Sequence, residues 1–359
     1  MGLFTSKKKH ESCLGIDLGS SGIKIVELKR TKFGVRLLNY GFTENTSQIN
    51  HNDWDKNPEY TARVINKMLK NINAVSRTAV VALPSFSVFS SVININNSNP
   101  KELNTAINWE AKKIIPIPLE EMILDWKIIP ENQKKAPENK KIKKSPRNIK
   151  VLLTGAPKTL VKKYVDIFKE AKIHLLSLET ETFSLIRSLV GNDESKIMFV
   201  EIGSSTTDIS IIKNIIPLLN RSIDVGGLTI TKAISDNLNI GEERAEQFKY
   251  DLGISSGSNT NSAIPKTITD SISPIVNEIK HMLNLFENKN HERVEKIILS
   301  GGSALLPNLP EYLSKILNIN VIIGNPWTKI SYPTDLEQVL IEIGPKLAVS
   351  VGLAIRGME

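Results

Sequence analysis

The chain has 359 residues, 40% of them hydrophobic, and a formal net charge of +8. This length favours two or more folding units over one ordinary core. The composition is typical of a globular protein, and because no stretch approaches 18 apolar residues the sequence predicts no transmembrane helix. The single cysteine, Cys13, excludes an internal disulfide; at the start of an apolar strand it is predicted to pack in the core.

Most of the positive charge lies in one segment. Between residues 131 and 150, eight basic side chains oppose two acidic ones. The segment has almost no apolar residues with which to form a core, so we expect a basic loop at 131–149. It is either solvated or in contact with anionic lipid headgroups or an acidic partner. Nucleic acid is disfavoured, because no aromatic residue interleaves with the lysines. The basic N-terminal stretch 1–12 predicts a flexible tail with weak contact to a membrane surface.

The first part of the chain predicts a mixed α/β unit. Alternating apolar residues indicate a β-hairpin at 14–28 and a third strand at 35–42. A helical spacing follows at 58–73, and then a compact apolar strand at 78–83 that Pro84 ends.

Residues 84–157 predict a small sheet of their own. The pattern indicates a strand at 87–95, a helix at 100–115, and strands at 122–129 and 150–154. Because this order of strand, helix, strand, strand occupies only about 70 residues, we expect a subdomain inserted into the first unit.

The second part predicts another α/β unit, with a second hairpin at 199–211. Further helices are predicted at 158–171, 181–190, 227–238, 242–252, 267–288, 309–317 and 345–356, and further strands at 173–178, 215–224, 294–299 and 320–323. We therefore expect a first domain of 13–83, 158–196 and the helix 345–357, the insertion 84–157, a second domain of 197–226 and 292–344, and within it a subdomain 227–291.

One short pattern occurs in both hairpins. The run Asp17-Leu-Gly19-Ser20-Ser21 matches Glu201-Ile-Gly203-Ser204-Ser205. A tip without bulky side chains can bring backbone N–H groups and hydroxyls onto a phosphate. The acid two residues before each tip glycine can contact a metal through water, since Mg²⁺ keeps part of its hydration shell. Two such hairpins facing each other predict a clamp on the phosphates of a nucleotide.

A third glycine turn, Gly301-Gly302-Ser303, follows the strand at 294–299. The order and spacing of the three turns resemble the actin-like ATPase superfamily. This resemblance implies a two-domain, ribonuclease H-like α/β fold with ATP in the cleft between the domains. The inserted unit, which is similar to an SHS2-type subdomain, and the motifs within 15–28, 181–187 and 299–309 resemble the FtsA/PilM branch over residues 14–357. FtsA ends in a linker and a membrane-binding helix that this sequence lacks, which favours the PilM family.

The resemblance implies roles for individual residues. Asp17 and Glu201 would contact Mg²⁺ through water, and Glu181, with Asp17, would act in catalysis near the attacking water. Because Glu201 stands where the superfamily usually has Asp, and Mg²⁺ tolerates little misplacement, we expect ATP binding with at most slow hydrolysis. The implied ATP-binding residues are Gly19, Ser20, Ser21, Lys24, Gly203, Ser204, Ser205, Thr206, Gly226, Gly227, Glu246, Lys249, Gly301, Gly302 and Ser303.

Simpler explanations stay open for several of these residues. Lys24 is alternatively a surface residue of its strand. Glu181 is alternatively an acid in the first turn of a helix, where the helix dipole favours it. Glu246 and Lys249 lie three positions apart and could simply pair.

The resemblance also implies a partner and a place in the cell. A PilM-like protein would be cytoplasmic, peripheral at the inner face of the cytoplasmic membrane, and would bind the N-terminal peptide of a PilN-like inner-membrane protein. An extended peptide of this kind gains main-chain hydrogen bonds and side-chain pockets, and exposed residues within 85–117 are the candidates. Self-association and contacts with other pilus components stay open. The alternatives are an FtsA-like filament-forming division protein and a small-molecule kinase of the same superfamily.

Overall fold

The computed structural model describes residues 11–43, 54, 57–96, 102–129, 148–191, 193–254 and 263–359. The N-terminal stretch 1–10 and residues 131–147 of the predicted basic loop lie outside the described residues, so what the sequence predicts for them stays a prediction.

The elements follow the predicted order. The strands are β1 (Ser12–Gly19), β2 (Gly22–Thr31), β3 (Gly34–Phe42), β4 (Thr78–Leu83), β5 (Phe89–Asn96), β6 (Met122–Ile129), β7 (Asn148–Pro157), β8 (His174–Thr180), β9 (Ile197–Ile202), β10 (Thr207–Lys213), β11 (Ile216–Ile223), β12 (Lys296–Ser300), β13 (Asn320–Ile323) and β14 (Ile330–Ser331). The helices are α1 (Pro58–Asn71), α2 (Leu103–Ile114), α3 (Lys158–Glu170), α4 (Glu181–Leu185), α5 (Gly227–Leu238), α6 (Glu242–Leu252), α7 (Ala263–Asn290), α8 (Leu309–Leu317) and α9 (Glu337–Arg356).

The described strands form three sheets. The first has the order β14-β3-β2-β1-β4-β8, the second β11-β10-β9-β12-β13, and the third β5-β7-β6. In each of the two larger sheets an antiparallel hairpin, β1–β2 or β9–β10, stands beside a parallel strand, β4 or β12. The predicted internal repeat is thus a repeat of sheet topology, and the inserted residues form a sheet of their own.

Amphipathic helices cover these sheets. Helix α1 shows the pattern: it buries Ala62, Ile65 and Leu69 against the first sheet and exposes its polar face. Its first turn is capped by Asn57, whose side chain accepts a 3.0 Å hydrogen bond from the Tyr60 amide. Each fully buried aliphatic side chain contributes about 1.5–3 kcal/mol. The helix therefore depends on its apolar stripe more than on its cap.

Helix α9 differs from the prediction, because it begins at Glu337 and not at Pro345. Proline has no N–H and normally interrupts a helix, which is why the sequence predicts a start there. The helix instead continues through Pro345, whose carbonyl accepts hydrogen bonds from the Gly301 amide at 3.0 Å and the Ser300 hydroxyl at 3.1 Å. Pro345 is buried, and its packing in the core favours the continued helix although its missing N–H cannot donate a helical bond.

The second half of α9 lies in close contact with the first sheet. A Cβ placed on Gly15 of β1 would lie 1.9 Å from the Ser350 carbonyl oxygen, and one on Gly352 would lie 2.0 Å from that of Ser184. Neither position has space for a side chain. The two glycines allow backbones of β1, α4 and α9 to approach closely, which fixes α4 and its first residue, Glu181, relative to the hairpin.

The described residues include one segment, Thr334–Arg356, that is long and apolar enough to cross a membrane by length and composition alone. The sequence analysis predicted no such segment. In the structure 61% of its most apolar window is buried, and residues such as Leu347, Val351 and Leu353 pack in the core. Its apolar character is accounted for by that packing.

The return of the chain to the first sheet comes earlier than predicted. Strand β14 pairs in parallel with β3, although 292–344 was predicted to belong to the second domain. Helix α9 likewise begins before residue 345. A two-residue strand has too weak a pattern to be detected from sequence, since pairing partners hundreds of residues away decide it.

Candidate functional site

The tip of the first hairpin is fixed by two side chains from outside it. Gly19 and Gly22 face each other across the turn. The indole nitrogen of Trp54 donates a 2.9 Å hydrogen bond to the Gly19 carbonyl, and the Thr43 hydroxyl accepts one of 2.9 Å from the Ile23 amide. These two hydrogen bonds fix the turn from outside the hairpin.

The tip of the second hairpin meets the first one directly. The Gly203 amide donates to the Thr206 carbonyl at 2.9 Å, which closes the turn. The Ser205 amide then donates to the Ser20 hydroxyl across the gap between the sheets, at 3.3 Å. The structure thus brings together the two tips that the sequence predicted to face each other, and Ser21 and Ser204 flank the contact.

Glycines without space for a side chain surround the second tip. A Cβ on Gly226 would lie 2.5 Å from the Ser204 carbonyl oxygen, one on Gly227 would lie 2.4 Å from the Ser303 hydroxyl, and one on Gly301 would lie 2.4 Å from the Ile202 carbonyl oxygen. Gly301 also has a φ of 84°, which disfavours other residues. Three glycine-rich turns distant in sequence therefore converge on one point.

Hydrogen bonds connect these turns. The amides of Gly227 and Leu228 donate to the carbonyls of Gly203 and Ser204, both at 2.9 Å. The Ser303 hydroxyl donates to the Gly203 carbonyl at 3.4 Å. The predicted phosphate and adenosine turns consequently form one connected backbone surface.

Lys249 lies beneath this surface. Its side chain is 2% exposed, and its ammonium donates to the Gly227 carbonyl at 3.3 Å, the Thr231 hydroxyl at 3.1 Å and the Glu246 carboxylate at 2.7 Å. Pairing of Glu246 with Lys249, which the sequence left open, is therefore present. Through its bond to the Gly227 carbonyl, Lys249 also holds the Gly226-Gly227 turn. The neighbouring Tyr250 contacts the other glycine turn, since its hydroxyl donates to the Gly302 carbonyl at 3.3 Å.

The acid of the first hairpin has a cation of its own. Asp17 and Lys24 are register partners in the hairpin, and their charged atoms lie 2.8 Å apart. Burial disfavours the ammonium, but Asp17 outweighs it and the pKa of Lys24 is raised. The alternative of Lys24 as a surface residue is wrong, because only 14% of its side chain is exposed.

The acids of the second hairpin lack such a partner. Glu201 and Asp208 are register partners, and within the described part of the chain Glu201 Oε2 and Asp208 Oδ1 are buried without a hydrogen bond. Burial, reinforced by the charges of Glu181, Asp208 and Asp17, raises the pKa of Glu201 well above its ordinary value. Burial also raises the pKa of Asp208 to about 6. This side of the site favours a bound cation or protonated carboxyls.

Glu181 completes the acidic group. It is the first residue of α4, and its carboxylate oxygen Oε2 accepts hydrogen bonds from the Ser85 amide at 2.9 Å and the Ser85 hydroxyl at 2.7 Å. Burial, with the charges of Asp208 and Asp17, raises its pKa to about 8. Glu181 is therefore poised near neutrality, in the range suited to exchanging a proton.

The acidic group suits a hydrated divalent cation better than one held wholly by side chains. No three His, Cys, Asp or Glu side chains among the described residues lie close enough to ligate one ion directly. The buried oxygens without partners on Glu201 and Asp208 are nonetheless suitable acceptors for metal-bound water. Contact of Asp17 and Glu201 with Mg²⁺ through water stays a prediction.

A second feature lies on the inserted sheet and the turn leading to it. The 3₁₀ turn Ser85–Ser87 connects β4 to β5. Phe86 in this turn is 66% exposed, and Trp109 on α2 is 68% exposed. Large exposed aromatic side chains mark interaction surfaces more often than isolated small apolar ones do. We use the name insertion patch for the exposed large apolar residues of this unit, which are Phe86, Trp109, Ile114, Ile117 and Ile128.

Sequence reasoning missed four residues of this site. Asp208 follows the second tip, and its position opposite Glu201 across the turn 203–206 could have indicated a cross-strand pair. Trp54, Ser85 and Tyr250 carry no local signal, because their contacts with Gly19, Glu181 and Gly302 join distant parts of the chain.

Two sheets of repeated topology, joined at facing glycine tips, define the class of actin-like proteins. A family model described as "Type IV pilus assembly protein PilM" matches residues 15–358. The chain belongs to this PilM family.

Individual relatives agree with this fold. The cell division protein FtsA of Bacillus subtilis is 20% identical over 353 residues, covering 88% of this chain and 79% of FtsA. A solved PilM-PilN type IV pilus biogenesis complex is similar with a TM-score of 0.81 and 23% identity, covering 98% of this chain and all of that one. The structure of MreB5 of Spiroplasma citri bound to AMPPNP is similar with a TM-score of 0.53 and 13% identity, covering 97% of this chain and 96% of the MreB5 chain.

These findings confirm the predicted actin-like α/β fold and the resemblance to the FtsA/PilM branch. Core packing of Cys13 is confirmed as well: it is fully buried, and burial raises its pKa to about 12.

Proposed function

We propose that the chain is a cytoplasmic, ATP-binding scaffold of type IV pilus assembly, with ATP and Mg²⁺ between the two hairpin tips. The observation that carries ATP binding is the convergence of the Gly203, Gly226-Gly227 and Gly301 turns. A Cβ on Gly226, Gly227 or Gly301 would lie 2.4–2.5 Å from backbone or a hydroxyl of a neighbouring turn. Such surfaces let amides approach phosphates. Membership of the PilM family supports the role in pilus assembly, and the AMPPNP bound to an MreB of the same fold supports the ligand class.

We assign the residues as follows. The phosphates are contacted by Gly19, Ser20, Ser204 and Ser205. The rest of the nucleotide lies along Gly226, Gly301 and Ser303. The attacking water is oriented by Glu181. Asp17 and Glu201 contact Mg²⁺ through water. Because Lys24 already neutralises Asp17, and Glu201 has no cation of its own, the site favours binding over rapid turnover.

Titration of the full chain with a fluorescent ATP analogue and Mg²⁺ tests this assignment. We expect saturable binding in the micromolar range or tighter, corresponding to about −8 kcal/mol or better. Substitution Gly226→Ala should abolish it, whereas Phe33→Ala, at an exposed turn between β2 and β3, should not. Absence of binding by the unaltered chain would reject the ATP proposal.

The partner in this proposal is the N-terminal cytoplasmic peptide of a PilN-like inner-membrane protein. The insertion patch is the observation that favours it, since an exposed Phe and Trp beside a small sheet suit an extended apolar peptide. A solved PilM relative forms a complex with PilN. Such a partner would place the chain at the inner face of the cytoplasmic membrane.

A pull-down with the synthetic peptide, with and without ATP, tests the partner. We expect Phe86→Ala and Trp109→Ala to weaken binding at least tenfold, in line with aromatic hot spots. Phe33→Ala is the matched control, because Phe33 is equally apolar and fully exposed but lies outside the insertion patch. Peptide that fails to bind in either nucleotide state would reject this partner.

A filament-forming role like that of FtsA is the second candidate, and similarity to FtsA over 88% of the chain favours it. It requires polymers. Sedimentation with ATP in the absence of lipid distinguishes the two, since polymers pellet whereas a scaffold that works through a peptide partner stays in the supernatant.

A further inference from the structure

Ser85 joins the acidic group to the inserted sheet. It lies two residues after the end of β4, and Glu181 lies one residue after the end of β8. These strands are parallel neighbours, with Leu83 paired with Thr180. Because carboxyl ends of parallel strands meet at one edge of a sheet, residues 96 positions apart are brought into contact there.

The contact is stronger than a helix acid requires. An acid in the first turn of α4 could serve the helix dipole without any partner. Glu181 instead accepts both donors of Ser85 on the single oxygen Oε2, at 2.9 and 2.7 Å. Both distances lie within the normal range for hydrogen bonds, and a carboxyl oxygen can accept them in either protonation state. The second carboxylate oxygen takes no part in this contact.

The turn that contains Ser85 touches three structural units. It begins where the first sheet ends, it continues through exposed Phe86 into β5 of the inserted sheet, and it packs against β11 of the second sheet. Strand β5 packs against β11 as well. A movement of the two larger sheets relative to each other therefore displaces this turn.

We propose that Ser85 is a positioning residue that couples the Glu181 end of the nucleotide cleft to the insertion patch. The proposal rests on the proposed function and names the residue through which the two sites communicate. A change in the position or charge of Glu181 acts on the amide and hydroxyl of Ser85, and Phe86 is the next residue. Coupling of this kind is reciprocal, so peptide on the insertion patch alters ATP affinity by the same factor.

The test measures peptide affinity with and without ATP, and ATP affinity with and without peptide, for the full chain and the variants Ser85→Ala and Ser85→Thr. Ser85→Ala loses the hydroxyl bond to Glu181 and keeps the amide bond. We therefore expect it to bring the coupling factor at least twofold closer to one, while each ligand alone binds within about threefold of the unaltered chain. Ser85→Thr keeps the hydroxyl and should restore the coupling. An unchanged factor in Ser85→Ala overturns the proposal.

Hydrogen exchange separates this proposal from the failure of ATP or peptide binding. Without any ligand, Ser85→Ala and Glu181→Ala should speed amide exchange in residues 86–96, with the larger effect for Glu181→Ala because it removes both bonds. The double variant should exchange no faster than Glu181→Ala, since the two changes remove one contact. Exchange in 86–96 that is unaffected, or additive effects, would overturn the coupling role even if both ligands bind.

Discussion

The two hairpins share a backbone but not a charge arrangement. In the first hairpin, Asp17, two residues before the tip glycine, has its carboxylate 2.8 Å from the Lys24 ammonium. In the second, the equivalent Glu201 faces another acid, Asp208, and its inner oxygen is buried without a partner in the part of the chain described. Repeated topology therefore does not imply repeated chemistry, because the facing residue on the return strand decides whether a buried carboxylate is neutralised.

This difference has a physical consequence for binding. The charge of Asp17 is neutralised by Lys24 in the first hairpin. In the second hairpin, an ionised Glu201 is unfavourable unless a cation is bound nearby, and otherwise the carboxyl takes up a proton. Any ligand that supplies positive charge near Glu201 binds the folded state and stabilises it. The asymmetry favours a site that responds to its ligand over one built for rapid turnover.

The largest expected effect comes from removing the cation of the first hairpin. Lys24→Met leaves Asp17 buried and unpaired, and breaking a buried ion pair by removing one partner costs about 3 kcal/mol or more. We expect the free energy of unfolding to fall by this amount in urea denaturation. The double variant Asp17→Asn with Lys24→Met removes the unpaired charge and should recover most of it; a double variant as unstable as the single one would contradict the ion-pair explanation.

A smaller effect is expected from filling the glycine turns. Gly226→Ala forces a Cβ to 2.5 Å from the Ser204 carbonyl oxygen, a rigid backbone atom. We expect a loss of about 2 kcal/mol, as for other overpacked sites. Gly19→Ala is the matched control: its Cβ meets the flexible end of Lys24 at 2.9 Å, which can move. Equal losses in the two variants would show that the second tip is not the more tightly packed one.

The smallest effect concerns the pH dependence of the second hairpin. The pKa of Glu201 is raised in the folded protein, so its buried ionised form costs stability increasingly as pH rises above the ordinary carboxyl range. We expect Glu201→Gln to stabilise the protein by about 1 kcal/mol at pH 8, because glutamine requires neither a buried charge nor the uptake of a proton on folding.

The gain from Glu201→Gln should shrink towards pH 5, where the glutamic acid is itself protonated in the folded state. Thermal unfolding from pH 5 to 8 checks this. The pKa of Glu181 is also raised, to about 8, so Glu181 should lower the stability of the protein as pH rises from 5 to 8. The variant Glu201→Gln should still show this loss. A gain that is constant with pH would mean that Glu201 is not protonated in the fold.

Local patterns made much of this molecule predictable. Alternating apolar residues located β6 at its observed bounds and the two hairpins within a few residues. The same reasoning failed at α9, where Pro345 suggested a helix start that packing overrides. It also missed β14, whose two residues depend on pairing with β3.

The sequence by itself determined the repeated hairpins, the glycine turns and the inserted strand-helix-strand-strand unit, whereas the actin-like fold was implied by the resemblance of these motifs to a known superfamily. The hairpins and the inserted unit follow from short-range periodicity, and the turns follow from glycines, which can be read directly from the sequence. The tertiary structure alone decided which acids are neutralised, that Ser20 meets Ser205, and that Ser85 is bound to Glu181. Such contacts depend on distance and burial between segments far apart in the chain, and no local pattern encodes either.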